Sequence, residues 1–527
     1  VTPFILCRTI EKDRGGTMSA KRNYSKLGIP KGNYIGGTFR APRDKTGEIK
    51  VVSPADFSDD LGSYVYSYRD AEDAVLNSKE AFKLWRRTTL AERSELLRKY
   101  RDQLKIKENL LAETIAREVG KPLWEAKQEV ATMINKVDVT LAEGLKSVSD
   151  YEVPNILDGT LGACRYRPHG VFVVIGPFNF PGHLANGHIV PALATGNTVV
   201  FKPSEKSPGV GQIMAEAFND AGFPPGVFNM VQGEREVGRR LAVSEHTNGV
   251  LFTGSYEVGF KIKQDTLHQY WKLLALEMGG KNSAIVCDDA SIDWSIYEVL
   301  TGAFITAGQR CSATSRVFVH HTIFDAYVEK LHKRAKAFAI GHPLDNPFMS
   351  ALIDASSVEK YLKFVGIAAR EGCDVLMRGK ELEIDVPGNY VTPSICLVRD
   401  NSLQAVRKSV FQQTEIFGPM LAIYSFSEPE QAIELTNSVQ YGLVASVFTS
   451  DKNKYQKIAQ ELEVGLVNWN RSTVGASSRL PFGGVKKSGN HFPTAISAAN
   501  YCVYPVASLE VAEPKPLKAT YTGLNWE

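Results

Sequence analysis

From Gly170 onward, short apolar runs and amphipathic runs alternate so regularly that few folds remain open. GVFVVIG, NTVVFKP, VFNMVQG and GVLFT read as buried strands, and HLANGHIVPALAT, GVGQIMAEAFNDAG and REVGRRLAVSE between them read as helices. A strand covered on both faces loses the polar alternation of a half-exposed one, and a helix between successive strands is the connection that parallel neighbours need. The pattern predicts a parallel, doubly wound sheet with helices on both faces, an architecture that binds ligands at the carboxyl ends of its strands. The helix after Gly259 and the strand in KLLALEMGG continue the series. After Glu277 a second α/β series begins: SAIVCDD, a helix through about Thr306, SRVFVHH, and the helix FDAYVEKLHKRAKAFAI. Two such units facing each other leave a cleft, where sites tend to lie.

Upstream the texture is helical. Ala71, Ala74, Val75, Ala81, Phe82 and Trp85 recur at helical spacing behind Asp70, a candidate N-cap, and a second run from Leu90 to Val119 meets Gly120 and Pro122. Residues 1–17 show no periodicity and precede Met18, so they read as a disordered extension or as sequence upstream of the natural start. A chain of 527 residues exceeds what one hydrophobic core organises. Its formal net charge of +3 offers no electrostatic case for a nucleic acid or a membrane surface as partner, which leaves small-molecule chemistry. The seven cysteines form no CxxC pair and show no metal-ligand spacing with histidine, so free thiols, no metal site and a cytoplasmic location are expected.

Several stretches carry chemistry. FTGSYEVG, residues 252–259, joins a strand to a helix, and Gly254 and Gly259 permit close backbone approach to an anion at the helix N-terminus; a plain turn is equally compatible. In VVFKPSE, Glu205 at a strand end suits the hydroxyls of an adenosine ribose and repels a 2′-phosphate, or else belongs to a solvated loop. Cys311 lies in GQRCS, whose polar residues suit an exposed, reactive thiolate better than an inert filler. Glu277 ends an apolar strand, where desolvation would raise its pKa as a general base requires; alternatively the Met278, Gly279 and Gly280 N–H groups bind it. Asn179, in IGPFNFPGH, offers an amide to a developing oxyanion or simply forms a turn.

In order, GPFNFP, FKPSE, FTGS, LEMGGKN, GQRC and EIFGP resemble the NAD(P)-dependent aldehyde dehydrogenase superfamily across about residues 35–510, and Glu277 precedes Cys311 by 34 residues as in its hydrolytic members. The resemblance implies Cys311 as nucleophile, Glu277 as general base, and Asn179 with the Cys311 N–H as oxyanion hole. Around the cofactor, NAD rather than NADP, it implies Gly176, Pro177, Phe178, Lys202, Ser204, Glu205, Gly254, Ser255, Gly259, Gly279, Glu415 and Phe417. It further implies two doubly wound α/β domains and a β-arm. Residues 33–145 and 169–276 would bind the cofactor, residues 277–494 would be catalytic, and residues 146–168 and 495–514 would pair subunits into a homodimer or homotetramer. Residues 1–32 would be an N-terminal extension and residues 515–527 a tail.

NFPGHLANGHIVPAL and GASSRLPFGGVKKSGNHFPTA resemble the succinylglutamic semialdehyde dehydrogenases of arginine catabolism, whereas CSA after GQR is closer to dehydrogenases acting on glutamate 5-semialdehyde. Either substrate is an acidic aldehyde, for which Ser312, Arg471, Arg479 and Phe482 are the candidate contacts, unless the two arginines simply face solvent. A broader aldehyde specificity, acyl transfer to coenzyme A, and a non-catalytic binding protein of the same fold are the other readings. An intact Cys311 and Glu277 speak against the last two.

Overall fold

The computed structural model describes residues 22, 24–25, 27–513 and 522–524, so most of the extension at residues 1–32 and of the tail at residues 515–527 lies outside it. Two seven-stranded sheets form the body. In the first, Val171–Ile175, Thr198–Lys202, Phe228–Met230, Gly249–Thr253 and Leu273–Glu277 run parallel, and the antiparallel pair Asn33–Ile35 and Thr38–Arg40 extends one edge. Val171–Ile175 sits between Thr198–Lys202 and Gly249–Thr253, so successive connections leave it in opposite directions. That reversal opens a crevice at the strand ends.

Strand periodicity sets how this sheet is covered. Phe172 and Val174 face a core shared with the helices Leu90–Ile106, Leu123–Val139, His183–Ala194 and Pro208–Asp220. Val171 and Val173 face the helices Tyr68–Trp85 and Arg235–Val243 on the other side. Each fully buried aliphatic side chain contributes about 1.5–3 kcal/mol, which explains why the strands read as unbroken apolar runs. In the second sheet Asn282–Val286, Thr314–His320, Ser394–Leu397, Met420–Phe426, Val444–Phe448 and Leu466–Trp469 are parallel, with Asp374–Met377 antiparallel at an edge. A third sheet joins Val503–Glu510, Thr160–Pro168 and Tyr151–Leu157. The fold class expected from the sequence is therefore observed: two doubly wound α/β units and a separate β-arm.

Local details differ from the sequence reading. The first helix starts at Tyr68 and is capped by Ser67, whose hydroxyl accepts the Arg69 and Asp70 N–H groups; Asp70 is buried in the first turn and accepts the Asn33 side-chain amide at 2.8 Å. Ser67 wins because it has extended backbone angles and Asp70 is already helical. The run from Leu90 to Val119 is two helices broken at Lys107, and the second ends on Gly120 in a left-handed conformation. The helix expected after Gly259 begins at Tyr256. The helix Leu123–Val139 went unread, although Ala126, Val130, Met133 and Val137 form its buried stripe.

One buried ion pair ties the Gly47–Ser53 and Asp56–Tyr66 hairpin to this helical layer. The Arg117 guanidinium grips Asp59 with two bonds of 2.7 and 2.9 Å, and both side chains are almost wholly buried. Removing Asp59 leaves the buried Arg117 guanidinium with only the partly exposed Glu113, at 3.0 Å, as counter-charge. Asp59→Ala is expected to destabilise the fold by about 3–5 kcal/mol, measured by urea denaturation.

Candidate active site

A cavity of about 910 Å³ runs from the switch point of the first sheet to the loops of the second unit. At one end lie Ile175 and Gly176, Lys202, Ser204 and Glu205, and the loop Thr253–Gly254–Ser255. Ser255 caps the helix Tyr256–Asp265 by accepting the Val258 N–H at 3.3 Å, and this helix N-terminus lines the cavity. Its remaining first-turn N–H groups and its dipole favour an anion. Lys202 is buried with its ammonium on the Pro203 carbonyl at 2.8 Å and 3.5 Å from Glu205. A Cβ on Gly238 would stand 3.3 Å from the Lys202 stem, so glycine keeps that wall open. A carboxylate and a lysine at one end, a helix N-terminus next to them and apolar Val258 and Ile262 alongside fit an extended dinucleotide.

Glu277 ends the edge strand of the first sheet and is 4% exposed. The segment Ser488–Asn490 lies against that edge. The Met278 N–H donates to the Ser488 carbonyl at 2.9 Å, and the Asn490 amide bridges the Leu276 N–H and the Leu274 carbonyl. The alternative that the backbone after Glu277 binds its carboxylate is excluded for two of the three N–H groups, because Gly280 donates to Glu415 at 2.9 Å. Glu277 Oε2 has no hydrogen-bond partner among the described residues, and desolvation raises its pKa well above the ordinary carboxylate value.

Cys311 shares this cavity, with its carbonyl held by the Asn282 amide at 2.7 Å. Its thiol differs from the exposed, activated group that the polar sequence context predicts. Desolvation, with Glu415 and Glu277 as negative neighbours, pushes its pKa up to about 12, against the Ser312 N–H and Arg310, which lower it. Folding has brought two carboxylates and an apolar wall to a segment whose own neighbours are polar. Glu415 is itself raised to about 7 by burial, so near neutrality it is partly protonated and repels the thiolate less. Asn179 is buried beside this segment and donates one amide hydrogen to the Gln309 carbonyl at 3.0 Å, which leaves its second hydrogen for another acceptor.

Two strained residues precede the thiol: Thr306 and Ala307 have φ of 54° and 51°. Such angles cost about 1–3 kcal/mol each in a residue with a Cβ and persist only where the surroundings impose them. At Thr306 Glu125 is that surrounding, since its carboxylate accepts the Thr306 N–H at 3.0 Å, the Thr306 hydroxyl, and Arg310 at 2.7 Å. One helical turn on, Glu129 accepts the Gly182 and His183 N–H groups at 2.9 and 3.0 Å and pairs with Lys121 at 2.6 Å. The rings and cations interleave, with Lys121 3.7 Å and Arg310 4.8 Å from the Phe180 ring centre. One face of the unread helix thus clamps both the Asn179 loop and the Cys311 loop.

Of the residues nominated from sequence, Gly176, Pro177, Phe178, Asn179, Lys202, Ser204, Glu205, Gly254, Ser255, Glu277, Gly279, Cys311, Ser312, Glu415, Phe417 and Phe482 line the cavity. Phe417 has φ of 59° and meets the Phe178 ring edge-on at 5.8 Å. Gly259 stands behind the wall, where a Cβ would strike the Met278 sulfur. Arg471 and Arg479 are exposed and are not on the cavity wall; Arg479 pairs with Glu143 at 3.1 Å. Sequence reading missed Glu125, Glu129, Lys136 and Arg310 on the wall, and also His188, held between Tyr501 and Thr253 at 2.9 and 3.2 Å. The apolar stripe of KPLWEAKQEVATMINKV was the available signal for the first three.

A model of the aldehyde dehydrogenase family matches residues 40–503. The N-succinylglutamate 5-semialdehyde dehydrogenase of Novosphingobium aromaticivorans is 39% identical over 448 residues, covering 85% of this chain and 93% of that protein. Its counterpart from Burkholderia thailandensis is 38% identical over 460 residues, covering 87% and 92%. Among solved structures, a 1-pyrroline-5-carboxylate dehydrogenase from Thermus with bound NAD is similar at a TM-score of 0.85 and 31% identity, covering 92% of this chain and 93% of that one. An NAD-dependent aldehyde dehydrogenase from Sinorhizobium meliloti is similar at 0.86 and 29%, covering 93% and 96%.

Glu125→Ala releases the strained turn ahead of Cys311. It is expected to lower kcat by about 100-fold, the scale of a small misplacement of reacting groups, while circular dichroism shows the fold retained.

Proposed function

The chain belongs to the aldehyde dehydrogenase family, and on that premise we propose that it oxidises N-succinylglutamate 5-semialdehyde to N-succinylglutamate with NAD. The reading of the chemistry rests on one observation: a buried carboxylate with an unpartnered oxygen, Glu277, shares a single cavity with the thiol of Cys311. The reading of the substrate is supported by the curated relatives of that name.

The Cys311 thiol gives up its proton to water, its sulfur adds to the aldehyde carbon, and the carbonyl electron pair moves onto oxygen. The free Asn179 amide hydrogen and the Cys311 N–H hold that oxyanion, and losing one such donor typically costs about 100- to 1000-fold in rate. The dinucleotide, when bound, supplies the hydride acceptor. Collapse of the oxyanion as hydride leaves yields a thioester on Cys311. Glu277 then takes a proton from water, whose oxygen attacks the thioester carbon, and the thiolate departs as the carboxylic acid forms. Because a buried carboxylate must ionise to do this, the step accelerates as pH rises through the raised Glu277 pKa.

Glu205, at the Lys202 end of the cavity, supports NAD over NADP by repelling a 2′-phosphate. Ser204, Gly254 and Ser255 would hold the adenosine and phosphate side, with Gly259 allowing the helix to approach; Glu415 and Phe417 would hold the nicotinamide ribose. Ser312 and Phe482 are proposed to contact the aldehyde. Tyr151–Leu157 is exposed along its whole length, and Val506 and Leu509 on Val503–Glu510, the other edge strand of this sheet, are also exposed. This apolar three-stranded arm supports a homodimer or homotetramer. Ser312 and Ala313, and the 31% identical Thermus structure, favour glutamate 5-semialdehyde as the second reading. Comparing kcat/KM for the two semialdehydes separates them: the succinylated one is expected to be preferred, and the opposite order overturns the first reading.

Cys311→Ala is expected to abolish aldehyde-dependent NADH formation while calorimetry still detects NAD binding. Glu277→Gln should give one burst of NADH per site and then stall, and any residual steady rate should lose its rise with pH. Full steady turnover in either variant contradicts the assigned roles.

A further inference from the structure

The helix Leu123–Val139 turns Glu125, Glu129 and Lys136 into the cavity wall, and the cations around it are unevenly matched. Lys121 has Glu129 at 2.6 Å, and Arg310 has Glu125 at 2.7 Å. Lys136, 2% exposed, donates to the Ala495 carbonyl at 2.7 Å and makes no ion pair among the described residues. A neutral carbonyl occupies one of three ammonium hydrogens and cancels none of the charge. Taking an ammonium out of water without a counter-charge costs several kcal/mol, and desolvation accordingly lowers its pKa to about 8. At neutral pH the group is still mostly charged.

The position of Lys136 says which end of the cavity it serves. Ala495 follows Thr494, which pairs with Phe482 in a two-stranded ribbon, and both line the cavity. The next residue, Gly483, packs so closely on Glu277 that a Cβ there would lie 2.9 Å from Glu277 Oε1. Lys136 therefore stands at the hydrolytic end, away from Lys202 and Glu205. The two arginines nominated from sequence are absent from this wall, and one of them is already paired.

We propose that Lys136 is the specificity-determining cation of the aldehyde pocket, its ammonium binding a carboxylate of the substrate. The assignment rests on the acidic-semialdehyde reading above. The incoming carboxylate would accept charge-assisted hydrogen bonds from the ammonium hydrogens that Ala495 leaves free. Substrate binding thus supplies the counter-charge that the protein omits.

The test measures kcat/KM for N-succinylglutamate 5-semialdehyde and for hexanal, a neutral aldehyde, in the wild type, in Lys136→Met and in Lys136→Gln. Glutamine keeps a donor for the Ala495 carbonyl without the charge. The ratio of acidic to neutral kcat/KM is expected to fall about 30-fold or more in both variants, through KM for the acidic aldehyde. A ratio unchanged in both variants, kept by glutamine alone, or masked by equal loss on the two aldehydes overturns the assignment while the substrate reading stands. A wild type with no preference for the acidic aldehyde overturns both.

Discussion

Glu125 holds Thr306 in backbone angles that this residue would not keep unaided, and Ala307 follows it in the same left-handed region. The Thr306 strain is offset by two hydrogen bonds to one buried carboxylate, which also pairs with Arg310 beside Cys311, while the Asn282 amide holds the Cys311 carbonyl. Glu129, one turn along the same helix, does the equivalent for the start of the helix that follows Asn179. Cys311 and Asn179, 132 residues apart in the chain and proposed as nucleophile and oxyanion donor, thus lie on segments that a third element, carrying neither, holds together.

Removal of water is the second constraint. It raises Glu277, Glu415 and Cys311 together, since each is desolvated and the two carboxylates act on the thiol. A fully ionised trio would repel itself at the floor of an apolar cavity. The thiol keeps its proton near neutrality, and Glu277 is shifted toward its protonated form by the same loss of water, so the sulfur must lose a proton before it can react. Lys136 follows the same logic with opposite sign, as a charge buried in advance of its partner.

Much of the site was legible because its members sit where secondary structure changes. Glu277 ends a strand, Gly254 and Ser255 open a helix, and Lys202 closes a strand. Such boundaries show in apolar periodicity and in glycine punctuation. For Arg479 the sequence left two readings open, and its exposure agrees with the solvent-facing one, its pairing with Glu143 in a distant segment being invisible locally. Asp70 was misread because Ser67, three residues earlier, competes for the same cap. The helix Leu123–Val139 was missed although its apolar stripe is regular, and its polar stripe is buried against a cavity that no local window reveals.

By itself the sequence determined the alternation of strands and helices, hence two doubly wound sheets, and the order of the candidate residues at the strand ends. Periodicity and backbone preference act over a few residues, so they survive in a linear reading. The tertiary structure alone decided which charges are paired, which carboxylate is buried beside the thiol, and which lysine is left without an ion-pair partner among the described residues. Those properties depend on solvent exclusion and on contacts between segments far apart in the chain, and they exist only once the cavity has closed around them.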